Sequence, residues 1–155
     1  MTTLTELAGH PFLAGLTGEQ LDVLRAAARP VRFAPATRIF EEGGPADRFW
    51  LLTDGLVHLD TVVPGRGRVI IESLPAGTVL GWSWLFPPYR WAFGAVAAGP
   101  VEAFEFDGRA VRACCESDPV LGYELTRRLA HVVAKRLQAT RVRLITASSQ
   151  PTVAR

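Results

Sequence analysis

The side chains in this sequence that could do chemistry are few, and their spacing does not gather them. Ser83 lies between Trp82 and Trp84, but the flanking residues form no Gly-x-Ser-x-Gly elbow, and no histidine or aspartate is placed to activate the hydroxyl. Glu41 and Glu42 are neighbours in a strand-like run, so their carboxylates point to opposite faces and do not form an acid–base pair. His10, His58 and His131 are far apart, and none has a second ligand three or four residues along a helix, which a metal site would use. The adjacent Cys114 and Cys115 lack the spacing of a zinc knuckle or a redox pair, and neighbouring cysteines do not close an unstrained disulfide. Gly65-Arg66-Gly67-Arg68 has the glycines of a phosphate loop, but no helix follows it, so it reads as a hairpin tip. The expectation is a protein without catalytic machinery, metal or cofactor.

The elements that must position these residues are legible from turn chemistry. Gly43-Gly44-Pro45, Asp54-Gly55, Pro64-Gly65-Arg66-Gly67 and Pro75-Ala76-Gly77 recur at about ten-residue intervals, the rhythm of an antiparallel sandwich or barrel. Between and after them lie strand-like runs at 38–41, 48–53, 56–63, 68–74, 93–98 and 101–106. Helices flank this β core. Thr17 and Gln20 form a capping box, with Leu16 and Leu21 as its staple, for a helix running to about Ala28 and stopping before Pro30. Asp107 caps a short helix through Cys115. Asp118-Pro119 opens a last helix reaching about Thr146, with Leu121, Leu125, Leu129, Val133, Leu137 and Leu144 as its apolar stripe. Residues 1–146 are thus expected to form one domain, and 147–155 a loose tail.

Composition agrees. The chain has 155 residues, enough for one core, and 48% apolar with 21% charged residues is an ordinary globular balance. A formal charge of +2 does not by itself point to nucleic acid. The opening residues have no basic start or long apolar segment, and the apolar runs are shorter than a membrane span, so the expected location is the cytoplasm, without membrane attachment.

Helix, short strands, short helix, long helix: this order resembles the cyclic-nucleotide-binding domain, the ligand domain of catabolite-activator-type regulators. Three segments within about residues 10–145 carry the resemblance. They are His10-Pro11-Phe12-Leu13 with Leu16-Thr17, the stretch from Phe40 through Gly43-Gly44-Pro45 to Asp54-Gly55, and Leu74-Pro75-Ala76-Gly77-Thr78-Val79-Leu80-Gly81. The resemblance implies a mainly β fold, a jelly-roll or β-roll barrel with an N-terminal helix, a short helix and a long C-terminal helix. It also implies a phosphate-binding cassette, in which a Gly-Glu pair opens a short helix. Backbone N–H groups there hold a cyclic phosphate, the Glu accepts from the ribose hydroxyl, and a later Arg pairs with the phosphate.

The cassette of this chain departs from that pattern. Gly81 matches, but Trp82 stands at the Glu position and cannot accept from a hydroxyl. Counting back from Val96 puts Trp91 at the arginine position with Arg90 one residue early, and in a strand a one-residue shift reverses the side chain. Two readings stay open. In one, Gly81, Trp82, Ser83, Trp84, Arg90 and Trp91 contact a ligand. The N–H groups of Ser83 and Trp84 and the Arg90 guanidinium hold an anion, and Trp82, Trp84, Tyr89, Trp91 and Phe93 stack on a base or another planar group. In the other, the aromatics fill a pocket that has lost its ligand.

The last helix offers two further surfaces. Arg127, Arg128, Lys135, Arg136, Arg141 and Arg143 make a basic face that reads as solvated. Relatives with a helix-turn-helix place it after this helix, and the few residues that follow here leave no room for one, so sequence-specific DNA binding is not expected. Leu125, Leu129, Val132, Val133 and Leu137 are the expected contact with a second copy, making a homodimer, or with a partner protein. The first functional expectation is a stand-alone regulatory module for a cyclic nucleotide or another planar anionic ligand, signalling through the C-terminal helix. The alternative is a protein-interaction or scaffold module with a degenerate pocket. A metal-dependent cupin-like enzyme is a third, disfavoured by the separated histidines.

Overall fold

The computed structural model describes residues 4–148 of the chain. Eight strands form two antiparallel four-stranded sheets. The first, in the order β1-β8-β3-β6, joins Ala28–Phe33, Val101–Asp107, Arg48–Asp54 and Val79–Leu80; the second, β2-β7-β4-β5, joins Arg38–Phe40, Gly94–Ala97, Leu56–Val63 and Gly67–Pro75. The sheets face one another without closing, so the expected barrel is an open roll. Three α-helices accompany them: α1 (Gly18–Ala26), α2 (Gly108–Ser117) and α3 (Pro119–Ser148).

The period-2 geometry of β3 explains why there are two cores. Phe49 and Leu51 point to the helix side and pack with Phe104, Phe106, Trp84, Val111, Leu121, Leu125 and Leu129. Trp50 and Leu52 point between the sheets and pack with Phe40, Val57, Leu59, Trp91, Ala95 and Ala103. Four consecutive residues of one strand are therefore buried, each stabilising the fold by about 1.5–3 kcal/mol as a transfer estimate. Glu105, on the inner face of β8, is tolerated there because it accepts from Trp50 Nε1 at 3.0 Å and from Arg29 at 2.6 and 2.9 Å. Asp60 is likewise buried but held by both terminal nitrogens of Arg38, at 2.8 and 2.9 Å.

Local sequence chemistry sets the helix starts. Thr17 accepts from Gln20 N–H at 3.1 Å and Gln20 accepts from Thr17 N–H at 3.0 Å, the expected capping box. Asp107 accepts from the N–H groups of Arg109 and Ala110, and Asp118 from those of Val120 and Leu121, with Pro119 in the first helical position.

The structure corrects the boundaries in three places. Helix α1 ends at Ala26 rather than Ala28, because the chain turns at once into β1, a strand the turn pattern did not reveal. Pro30 lies inside β1 and not beyond a helix, which a sheet permits only where the missing N–H is not needed; β1 is an edge strand. Helix α3 runs to Ser148, so Ala147 and Ser148 belong to it, and 149–155 of the expected tail lie outside the described residues. Among the described residues no helix is long and apolar enough to cross a membrane.

Candidate functional site

The cassette follows β6. Gly81 has φ +94°, and a Cβ there would come within 2.8 Å of Cζ3 and Cη2 of Trp91, so both the backbone angle and the approaching ring require glycine. The segment then forms only a three-residue 3-10 turn, Ser83–Leu85, capped by Trp82 without a side-chain hydrogen bond. One turn of this kind adds little helix dipole, so the expected N–H cradle at Ser83 and Trp84 rests on a single turn and not on a helix.

The five aromatic residues do not form one platform. Trp84 is 1% exposed and stacks on Phe49, centroids 4.5 Å apart, inside the helix-side core. Its carbonyl accepts from Arg112, whose guanidinium also lies 4.2 Å over the Tyr89 ring. Trp91 enters the other core, between the sheets, stacked on Phe40 at 3.9 Å and 6.0 Å from Trp50. Its N–H donates to Gly44 O at 3.0 Å and its carbonyl accepts from Gly43 N–H at 2.8 Å, which fixes the strand-like alternation at this point. Arg90 consequently points out: it is exposed and donates to Gly43 O across a long 3.3 Å. The arginine position is thus occupied by a buried indole and the available guanidinium faces solvent. Of Gly81, Trp82, Ser83, Trp84, Arg90 and Trp91, Trp82 lines an open cavity together with α3.

That cavity has a volume of about 380 Å³ and lies between the second sheet and α3. Leu59, Ile71, Trp82 and Phe93 wall it on the sheet side, and Val133, Leu137 and Thr140 on the helix side. Trp82 and Phe93 meet edge to face at 5.6 Å, and both line the cavity. Glu72, Arg136 and Arg143 form the polar end. The Arg136 guanidinium lies 5.0 Å over Trp82, and its Nη2 donates to Val79 O. Its Nη1 is buried and has no hydrogen-bond partner among the described residues. Burial pushes the Arg136 pKa down, with the Glu72 carboxylate opposing. Glu72 stands 3.9 Å from Arg136 Nε and 3.6 Å from Arg143 Nη2, ion pairs too long to count as hydrogen bonds. An oxygen could meet Nη1 only after the groups covering it shift, and would then satisfy a buried donor.

The sequence pattern reads Arg136 and Arg143 as part of a solvated basic face and does not mark Glu72. The signal that could have found them is the recurrence of Val133, Arg136, Leu137, Thr140 and Arg143 at three- and four-residue spacing, one face of one helix. Arg128 is also only 15% exposed and donates to Phe12 O at 2.8 Å, so the basic face is partly structural. Of the residues expected to meet a second copy, all but Leu137 are wholly or partly covered within the chain. Leu125 and Leu129 are spent on the chain's own core, Val132 packs beside it, and Val133 lines the cavity. Leu137, Val142, Leu144 and Ile145, all 55–65% exposed, lie towards the free end of α3. Among the described residues no three His, Cys, Asp or Glu side chains come together as a metal site.

Comparison with known proteins gives a consistent picture. A family model described as the cyclic nucleotide-binding domain matches residues 30–118. The chain is 33% identical over 135 residues to Glutaminase 1 of Bradyrhizobium diazoefficiens, covering 86% of this chain and 21% of that protein. It is 25% identical over 134 residues to the CRP-like cAMP-activated global transcriptional regulator of Mycobacterium tuberculosis, covering 86% of this chain and 58% of that one. The chain therefore spans about a fifth and somewhat over half of these two relatives. A solved structure from Geobacter metallireducens GS-15, assigned as a cyclic nucleotide-binding protein, superposes with a TM-score of 0.79 at 30% identity, over 88% of this chain and 99% of that one.

Proposed function

The chain belongs to the cyclic nucleotide-binding domain family, and we propose that it is a non-catalytic regulatory module whose ligand has a planar apolar body and an acidic group. The observation that carries this reading is the cavity shared by the cassette and α3, with Arg136 and Arg143 at its polar end. The planar body packs against Trp82 and Phe93, and the acid reaches Arg136 and Arg143. Since Val133, Leu137 and Thr140 are wall residues, a ligand touches α3 directly, and occupancy shifts α3 between two packings by as much as the ligand prefers one over the other. The outer half of α3 then reports the change to a second copy or a partner. Ordinary cyclic-nucleotide recognition is disfavoured, because Trp82 replaces the ribose acceptor and Trp91 fills the place of the phosphate arginine.

The test is a thermal-shift screen with cyclic AMP, cyclic GMP, linear nucleotides and aromatic carboxylates. A ligand at a hundredfold excess over its Kd adds about 2.7 kcal/mol, or roughly 5–11 °C for a chain of this size. An aromatic acid is expected to produce that shift, Arg136→Met to remove it, and Arg90→Ala to leave it intact. Loss with Arg90→Ala and retention with Arg136→Met would overturn the assignment. A second reading, a scaffold whose pocket no longer takes a ligand, is favoured by the burial of Trp84 and Trp91; it gains if no compound of any class shifts the melt.

A further inference from the structure

A second and larger groove lies on the other side of Arg136. It has a volume of about 530 Å³ and is bounded by the opening segment at Pro11 and Phe12, the turn at Gly77–Val79 and the opposite flank of α3. Its floor is apolar, from Phe12, Val79 and Val132. Its rim carries four Arg or Lys side chains, Arg127, Arg128, Lys135 and Arg136, together with His131, and no carboxylate lines it. Glu124, just outside, partly neutralises two of them, pairing with Arg127 at 3.0 Å and Arg128 at 3.3 Å. Among the described residues the side chains of His131 and Lys135 have no ion-pair or hydrogen-bond partner.

We propose that this groove docks an acidic segment of a partner protein, one that alternates carboxylates with apolar side chains. Charge complementarity identifies the sign of the occupant, and the floor identifies its apolar component. The spread of the cations identifies its form. Arg127 and Lys135 are eight residue steps apart, about 12 Å along α3, so the positive groups match carboxylates distributed along a peptide better than one compact anion. A concave apolar floor is also unsuited to a nucleic-acid backbone, which would use the cations and leave Phe12 and Val132 uncovered. The inference does not rest on the ligand cavity, since Arg127, His131 and Lys135 lie outside it.

Lys135 is the single lysine of the chain, which makes the site addressable. The probe is a short fluorescein-labelled peptide alternating Glu with Leu and Phe. Its controls are a Glu–Ser peptide, a Lys-for-Glu peptide and a labelled single-stranded oligonucleotide. Anisotropy is expected to show saturable binding of the Glu–Leu/Phe peptide that weakens with salt. It should weaken about tenfold or more in a protein carrying Arg127→Glu and Lys135→Glu, two exposed positions of which only Arg127 gives up an ion pair, with Glu124, so that the melt falls by only about 1–4 °C. Carbodiimide coupling is expected to join a peptide carboxylate to Lys135, located by mass spectrometry. No saturable binding at millimolar peptide, equal binding of the Glu–Ser peptide, tighter binding of the oligonucleotide, or coupling that bypasses Lys135 would each overturn the proposal.

Discussion

Replacing Trp91 with alanine removes an indole that is 5% exposed and stacked on Phe40 between the two sheets. An aromatic side chain of this kind withdraws about 150–250 Å² from water, worth about 4–6 kcal/mol at 25 cal/mol per Å². Partial collapse of the cavity brings the expected loss to about 3–5 kcal/mol, a fall in Tm of about 6–20 °C. Arg90→Ala, one residue away, removes only an exposed side chain with one long hydrogen bond, and should stay within about 0.5 kcal/mol. Urea and thermal unfolding followed by circular dichroism measure both. Gly81→Ala extends the test, because the added methyl meets the Trp91 ring at 2.8 Å and the backbone has φ +94°. It should cost about 1–3 kcal/mol from overpacking and strain in the native protein. In the Trp91→Ala background the ring is gone and only the backbone strain remains, so the double-mutant cycle should show a coupling above about 0.5 kcal/mol. A Trp91→Ala loss below about 1 kcal/mol, a larger loss for Arg90→Ala, or strict additivity with Gly81→Ala would refute the placement of this indole in the core.

Two further outcomes follow from buried and exposed groups elsewhere. His10 is buried with one ring nitrogen 3.0 Å from Leu52 O and the other accepting from Phe12 N–H, so it is neutral, and burial pushes its pKa below the usual 6.5 although the Leu52 carbonyl opposes. The unfolded chain then binds the extra proton, so stability is full above about pH 6.5 and declines as pH falls from there through the lowered value. Urea midpoints across pH 5–8 should show this slope, and a His10→Gln protein that keeps the same slope would remove His10 as its cause. The exposed end of α3 should pair with a second copy, so sedimentation is expected to show a dimer at micromolar concentration and a monomer after Leu144→Glu. A monomeric unsubstituted protein rules that pairing out.

Much of this architecture is written locally in the sequence. The capping box at Thr17 and Gln20, the caps at Asp107 and Asp118, and the strands between Gly-rich turns depend on residues within a few positions of one another, so pattern alone locates them. The same locality explains what pattern missed. Strand β1 exists because β8 pairs along its length from Phe106 to Val101, some seventy residues away, and β6 is two residues held by β3. The site shows the division most sharply. The family resemblance sets Trp82 at the place of the ribose acceptor, and strand alternation would turn Arg90 and Trp91 opposite ways, with a loop before the strand still able to aim Arg90 inward. Only the tertiary structure decided which of the two points inward, because that choice depends on Phe40 and Trp50 stacking on the indole and on Gly43 and Gly44 clasping its backbone. It alone also brought Arg136, Arg143 and Glu72 to the polar end of one cavity, since whether an arginine on a helix is solvated or buried is set by what the sheet lays against it.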